Sequence, residues 1–111
     1  MPAAEFLLEH MSRTVFDPVD PTSVGSLDPR LRAKVNGEIY HFARSRTRAI
    51  FVRDPVRWCG ILRDPVSGER FVPSRRSPRR DFQDSPYFFT GDSTRRVFSA
   101  APEQFAIHRD Y

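Results

Sequence analysis

One cysteine, Cys59, stands alone in 111 residues. No disulfide can close within the chain, and no site can draw two thiolates from it. Glycine is nearly as sparse, and the five glycines are too scattered to form a phosphate-cradling loop. Lys34 is the only lysine among eighteen basic residues. No apolar run approaches the roughly 20 residues needed to cross a bilayer. The opening MPAAEFLLEHMSR lacks a basic start and carries Glu5 and Glu9 around its one apolar cluster, unlike a secretory leader. These absences make the cytoplasm the expected compartment, where a lone reduced cysteine is ordinary. The length allows one compact domain or two very small ones, and excludes most cofactor-bearing enzyme folds.

The remaining composition is globular, with 39% hydrophobic and 29% charged residues. Ten of the aromatic residues are phenylalanine, against one Trp and three Tyr, which predicts small cores built from Phe. The net charge is +4 and the pI near 10.0, and the basic side is almost entirely arginine. Arginine's planar fork suits carboxylates and phosphates. Asp and Glu are interspersed throughout, so the excess is a weak pointer to an acidic partner and none to nucleic acid.

A shift of 47 positions aligns the chain with itself. Asp17-Pro18-Val19 falls on Asp64-Pro65-Val66, Tyr40 on Tyr87, and Phe42 on Phe89. Thr47-Arg48 falls on Thr94-Arg95, Phe51 on Phe98, and Pro55 on Pro102, while Ile50 meets Val97 and Trp58 meets Phe105. The matches concentrate on aromatics, prolines and the Asp-Pro-Val start, as expected of an internal duplication.

Each unit is then expected to run from Asp-Pro-Val through a polar stretch to a strand ending Tyr-x-Phe. Asn36-Gly37, between short apolar arms, is a two-residue hairpin signal. Asp84-Ser85-Pro86 at the corresponding place predicts a longer or distorted turn. Ser45 and Asp92 are expected N-caps for helices from Arg46 to Arg53 and from Ser93 to Ala100. These would lay Ile50/Phe51 and Val97/Phe98 on their hairpins. Pro55 and Pro102 cannot continue a helix, so each should start a second short turn that returns Trp58 or Phe105 to the core.

The expected fold class is therefore α+β, with two small hairpin-plus-helix units related by pseudo-symmetry. Residues 1–16 are an N-terminal extension, with a short helix over Ala3 to Ser12. Residues 17–58 are unit one, 59–63 a short connection, and 64–111 unit two. A unit of about 42 residues is near the size at which a lone core fails, so the two are expected to pack on each other. The core residues are Tyr40, Phe42, Phe51 and Trp58, with Tyr87, Phe89, Phe98 and Phe105.

The order Asp-Pro-Val, Tyr-x-Phe, Phe and Pro resembles the YHS domain, a small module related to the TRASH metal-binding group. The closest stretch runs from RDPVSG to YFFTGDSTRRVFSAAPEQF, and FDPVD to FVRDPVRW matches more loosely. Metal-binding members carry one cysteine after Asp-Pro-Val and a Cys-x-x-x-Cys pair just past the strand. Position by position, the resemblance places those ligands at Asp20, Ala43 and Thr47 in unit one, and at Ser67, Thr90 and Thr94 in unit two. No thiol survives, and hydroxyls and methyls do not replace thiolate for a soft metal. The resemblance thus implies the fold without the metal, and no cofactor is expected.

His10, His41 and His108 lie far apart with no ligand spacing, and read as structural or surface histidines. Cys59 reads as a small buried hydrophobe. Asp17 and Asp64 read as turn-capping carboxylates in preference to an acid–base pair, so an enzyme is not expected. Arg75-Arg76-Ser77-Pro78-Arg79-Arg80 holds four arginines without an acid, in a loop of unit two. Arg75, Arg76, Arg79 and Arg80 are the expected contacts to an acidic protein surface. The expected function is a non-catalytic interaction or assembly module, an accessory subunit of a larger complex. One alternative is metal handling through non-thiolate ligands such as Asp20, His41 or Asp92. The other is nucleic-acid binding through the Arg75–Arg80 loop. The sequence leaves the oligomeric state open.

Overall fold

A computed structural model of the chain describes residues 16–106, so the expected helix over Ala3 to Ser12, His10 and His108 lie outside the described residues. Those residues form a small α+β fold with four α-helices and three two-stranded antiparallel sheets. In chain order come a 3₁₀ turn (Pro29–Leu31), β1 (Arg32–Val35), β2 (Glu38–His41), α1 (Ser45–Arg53) and α2 (Pro55–Trp58). These are followed by β3 (Leu62–Arg63), β4 (Arg70–Phe71), β5 (Arg79–Phe82), β6 (Ser85–Phe88), α3 (Asp92–Ala100) and α4 (Pro102–Phe105). No helix among the described residues is long and apolar enough to cross a membrane. The chain divides into two compact units: residues 16–33 with 39–54, and residues 34–38 with 55–106.

In the first unit Phe42 and Phe51 are fully buried, their ring centroids 5.0 Å apart at 60°, and Tyr40 stands 4.9 Å from Phe51 at 38°. In the second, Tyr87, Phe89 and Phe98 form the buried cluster. There Phe89 and Phe98 are 5.2 Å apart at 58°, and Tyr87 is 4.9 Å from Phe98 at 35°. Tilted rings at these separations avoid the repulsive face-to-face stack. Val66, Phe82 and Phe105 pack on the second cluster, whereas Trp58 is half-buried with the Arg57 guanidinium 4.9 Å over its ring. Val97, expected to face inward beside Phe98, is 46% exposed.

Backbone geometry also matches 47 residues apart. Phe42 N donates to Leu31 O at 2.9 Å, and Phe89 N to Pro78 O at 3.0 Å. Helices α1 and α3 end alike: Asp54 (φ −148°, ψ 69°) donates to Phe51 O, and Ala101 (φ −150°, ψ 63°) to Phe98 O. Pro55 and Pro102 then open α2 and α4. The helix starts differ from expectation by one residue. Ser45 and Asp92 are the first helical residues, and the caps are Arg44 and Gly91 in extended backbone without a side-chain bond. Asp92 does not cap because its carboxylate is taken by Arg95 and Arg96, at 2.6 and 2.8 Å.

The second hairpin corrects another expectation. Its turn is two residues, Gln83-Asp84, and Ser85-Pro86 already belongs to β6, in register Phe82↔Ser85, Arg80↔Tyr87 and Arg79↔Phe88. Gln83 (φ 53°) and Asp84 (φ 62°) both adopt the left-handed conformation of Asn36 (φ 50°) and Gly37 (φ 77°). Pro86 is tolerated because Asp81↔Pro86 is a non-hydrogen-bonded pair, in which the missing N–H would point away from β5.

The outward edge of β6 is closed by Asn36, which is buried. Its side-chain amide donates to Phe88 O (2.9 Å) and Arg63 O (3.0 Å), and its Oδ1 accepts from Phe88 N (2.7 Å). Its own N–H donates to Pro86 O at 3.1 Å. One asparagine thereby satisfies a strand edge that would otherwise stay open. Leu62–Arg63, inside the stretch read as a connection, forms β3 and pairs with β4.

Two outcomes follow for stability, both read from urea midpoints. Asn36→Ala strands Phe88 N–H and the carbonyls of Phe88 and Arg63, and lowers stability by about 3 kcal/mol. Replacing Gln83-Asp84 by Asn-Gly relieves left-handed strain at exposed positions, and raises it by about 1 kcal/mol.

Candidate functional site

Asp17 and Asp64 are both completely buried, one at the start of each Asp-Pro-Val turn. Oδ1 of Asp17 accepts from the amides of Val19 (2.8 Å) and Asp20 (3.1 Å), and Oδ1 of Asp64 from those of Val66 (2.8 Å) and Ser67 (3.2 Å). This half is the turn-capping role expected of them. The other oxygen reaches across the unit. Asp17 Oδ2 accepts from Ala43 N (2.9 Å) and the Thr47 hydroxyl. Asp64 Oδ2 accepts from Thr90 N (3.0 Å), Thr90 Oγ1 (3.1 Å) and Thr94 Oγ1 (2.7 Å). Thr47 and Thr94 each have a second contact, with the carbonyl of Arg44 or Gly91 at the head of its helix.

The six positions that the YHS resemblance assigns to ligands are thus brought together, three around each carboxylate. Asp20 and Ser67 donate backbone amides, Ala43 an amide, Thr90 an amide and a hydroxyl, and Thr47 and Thr94 hydroxyls. A soft metal needs lone pairs from thiolates or imidazoles. These positions instead aim hydrogens at an anion, and Ala43 has no side-chain ligand atom. The residues do not fit a thiolate-type metal.

Burial by itself raises the carboxyl pKa of Asp17 and Asp64. The Thr47 or Thr94 hydroxyl and three backbone amides outweigh it, so both stay below the ordinary aspartate range. Proximity to the N-terminal turn of α1 or α3 acts in the same direction. Anions held this firmly are poor proton acceptors, which suits an anchor and not a general base.

The other candidates are dispersed. Asp20 is held by Thr22 and Ser23, with Arg44 at 3.2 Å. His41 is buried on β2 with burial lowering its pKa, and Gly25 lies so close that an added Cβ would stand 2.7 Å from His41 Cβ. Among the described residues no three His, Cys, Asp or Glu side chains form a metal-binding group. Burial pushes the Cys59 thiol up to about 11, away from thiolate reactivity.

Arg75 and Arg76 stand on an exposed turn that Ser74 and Ser77 close, with Ser74 N to Ser77 Oγ at 2.9 Å and Ser77 N to Ser74 O at 3.0 Å. Arg79 and Arg80 are exposed on β5. The segment is not free of acid in space: Arg79 pairs with Asp81 at 2.7 Å and lies 5.6 Å from the Phe88 ring. No family model, curated protein or solved structure matches the chain.

Unfolded aspartates titrate near about 3.9. Because Asp17 and Asp64 titrate lower in the folded state, their contribution is complete above that pH and disappears as pH falls through the folded values. Urea midpoints should therefore drop below about pH 4, and Asp64→Ala should cost on the order of 3 kcal/mol at pH 7 by stranding five donors.

Proposed function

We propose that the chain is a non-catalytic interaction module: two repeated, YHS-like α+β units that use a buried aspartate where the metal-binding members use thiolates. The carrying observation is the convergence of Asp20, Ala43 and Thr47 on Asp17, and of Ser67, Thr90 and Thr94 on Asp64, by bonds of the same kind. Matched ring pairs and helix ends 47 residues apart support the duplication. A scaffold that keeps its geometry after its ligands are lost retains a use for its surface.

That surface is arginine-rich, and the module reads as an accessory subunit that docks an acidic face of another protein. Arg75, Arg76, Arg79 and Arg80 contribute from the exposed turn and β5. The Arg79–Asp81 pair weakens the part Arg79 plays in it. Apart from the half-buried Trp58, the aromatic side chains of the repeat are spent on the two cores, whereas a single-strand binder displays them between basic residues.

Affinity purification of the full chain from its native cell, followed by mass measurement of the intact complex, tests this. A stoichiometric protein partner is expected, retained by the wild type and reduced about tenfold or more in Arg76→Glu/Arg80→Glu with unchanged circular dichroism. A partner-free monomer would overturn the proposal. So would duplex DNA or RNA retained at about 150 mM salt with a steep salt slope.

A further inference from the structure

The two-residue ladder of β3 and β4 carries an arrangement that folding alone does not favour. Its register is Leu62↔Phe71 and Arg63↔Arg70. Leu62 is buried and Phe71 half-buried, so one pleat side faces the protein. The other carries Arg63 and Arg70 directly opposite each other, both exposed. Cross-strand neighbours stand about 5 Å apart at Cβ, and like charges there destabilise the pair. Among the described residues neither guanidinium has a hydrogen-bond or ion-pair partner. Of the two adjacent acids, Asp64 has both oxygens engaged elsewhere, and among the described residues the exposed Glu69 forms no ion pair with either arginine.

Ile61 and Val72 flank the strands, two residues from Arg63 and Arg70, and exposure alternates through Leu62 and Phe71, which puts them on that same side. They are 60% and 71% exposed. The face is therefore two rows, one aliphatic and one doubly cationic, separated by about 7 Å, the span of two extended residues. Exposed Val or Ile singly is ordinary, but flanking the ladder beside two unneutralised guanidiniums they describe a complementary ligand.

We infer that the Ile61/Val72–Arg63/Arg70 face docks an extended acidic segment of a partner protein, one with Asp or Glu at one position and Val, Ile or Leu two residues away. An extended peptide repeats side chains on one face every two residues, at the same spacing of about 7 Å, so carboxylate and apolar group meet their rows together. Guanidinium forks take carboxylates bidentately. Nucleic acid fits this face less well, because aliphatic Ile and Val give bases no aromatic surface to stack on. The inference rests on the interaction-module reading and adds a surface distinct from the Arg75–Arg80 segment.

The probe is a fluorescein-labelled peptide of three Ser-Glu-Ser-Val repeats, with polyglutamate and a DNA duplex as comparisons, each titrated into the full chain at about 150 mM salt. The peptide should bind, losing about tenfold or more in Arg63→Glu/Arg70→Glu and about threefold or more in Ile61→Ser/Val72→Ser. Arg76→Glu/Arg80→Glu should change it less than about twofold. Arg70→Glu alone should raise the thermal midpoint, since it turns a repulsive pair into an attractive one. Absence of peptide binding, polyglutamate or duplex binding as tightly as the peptide, or an unmoved midpoint would each overturn the inference. Peptide binding that followed the Arg76/Arg80 variant instead would overturn it and leave the interaction module standing. A partner-free monomer in the purification defeats the module itself.

Discussion

A charge taken wholly out of water is the constraint around which each unit is arranged. An isolated buried carboxylate costs several kcal/mol, a cost removed only when its lone pairs are filled. Asp17 fills them with four donors and Asp64 with five. The donors come from separate places: the turn after the aspartate, the second residue past the hairpin, and the third residue of the helix. Satisfying the anion therefore requires all three to be in position at once. A coordinated metal ties distant segments in the same manner, by making one centre's stability depend on several chain positions.

The aromatic cores depend on that arrangement. Helices of nine residues are too short to persist alone. Each is oriented at its head by Thr47 or Thr94 bonded to the aspartate, which turns Phe51 or Phe98 onto the hairpin rings. Burying a Phe contributes about 2 kcal/mol and a well-set ring pair up to about 1 more. Such gains are small enough that an orphaned carboxylate would cancel them. The polar network and the rings are thus one cooperative structure in each unit.

The 47-residue recurrence carried most of this in the sequence. It picked out Asp17 and Asp64, Thr47 and Thr94, and the rings that became the two cores, because side chains that must meet recur at matched spacing. Local competition was less legible. Asp92 looks like a cap until Arg95 and Arg96 are seen to hold it. Gln83-Asp84 does not look like a two-residue turn, since neither residue prefers positive φ, yet the flanking register forces both into it. The long arm of each aspartate spans 26 to 30 residues, beyond anything a turn motif reports. The β3–β4 ladder is two residues long, too short for an alternation pattern to show.

Arginine sorting follows from the same distinction between sequence and space. Arg30, Arg44, Arg79, Arg95 and Arg96 each lie against an aspartate. Exposed pairs of this kind contribute at most about 1 kcal/mol and largely mute each other's field. The conspicuous run between Arg75 and Arg80 is weakened by the acid just beyond it, which a count along the chain assigns to the strand. Arg63 and Arg70 are unremarkable in sequence, seven positions apart and each beside an acidic residue. Register makes them neighbours, while burial removes Asp64 as a partner for the first. Where charge is abundant, its capacity to recognise a ligand depends on which guanidiniums the fold leaves unneutralised side by side, and that is a property of pairing, not of composition.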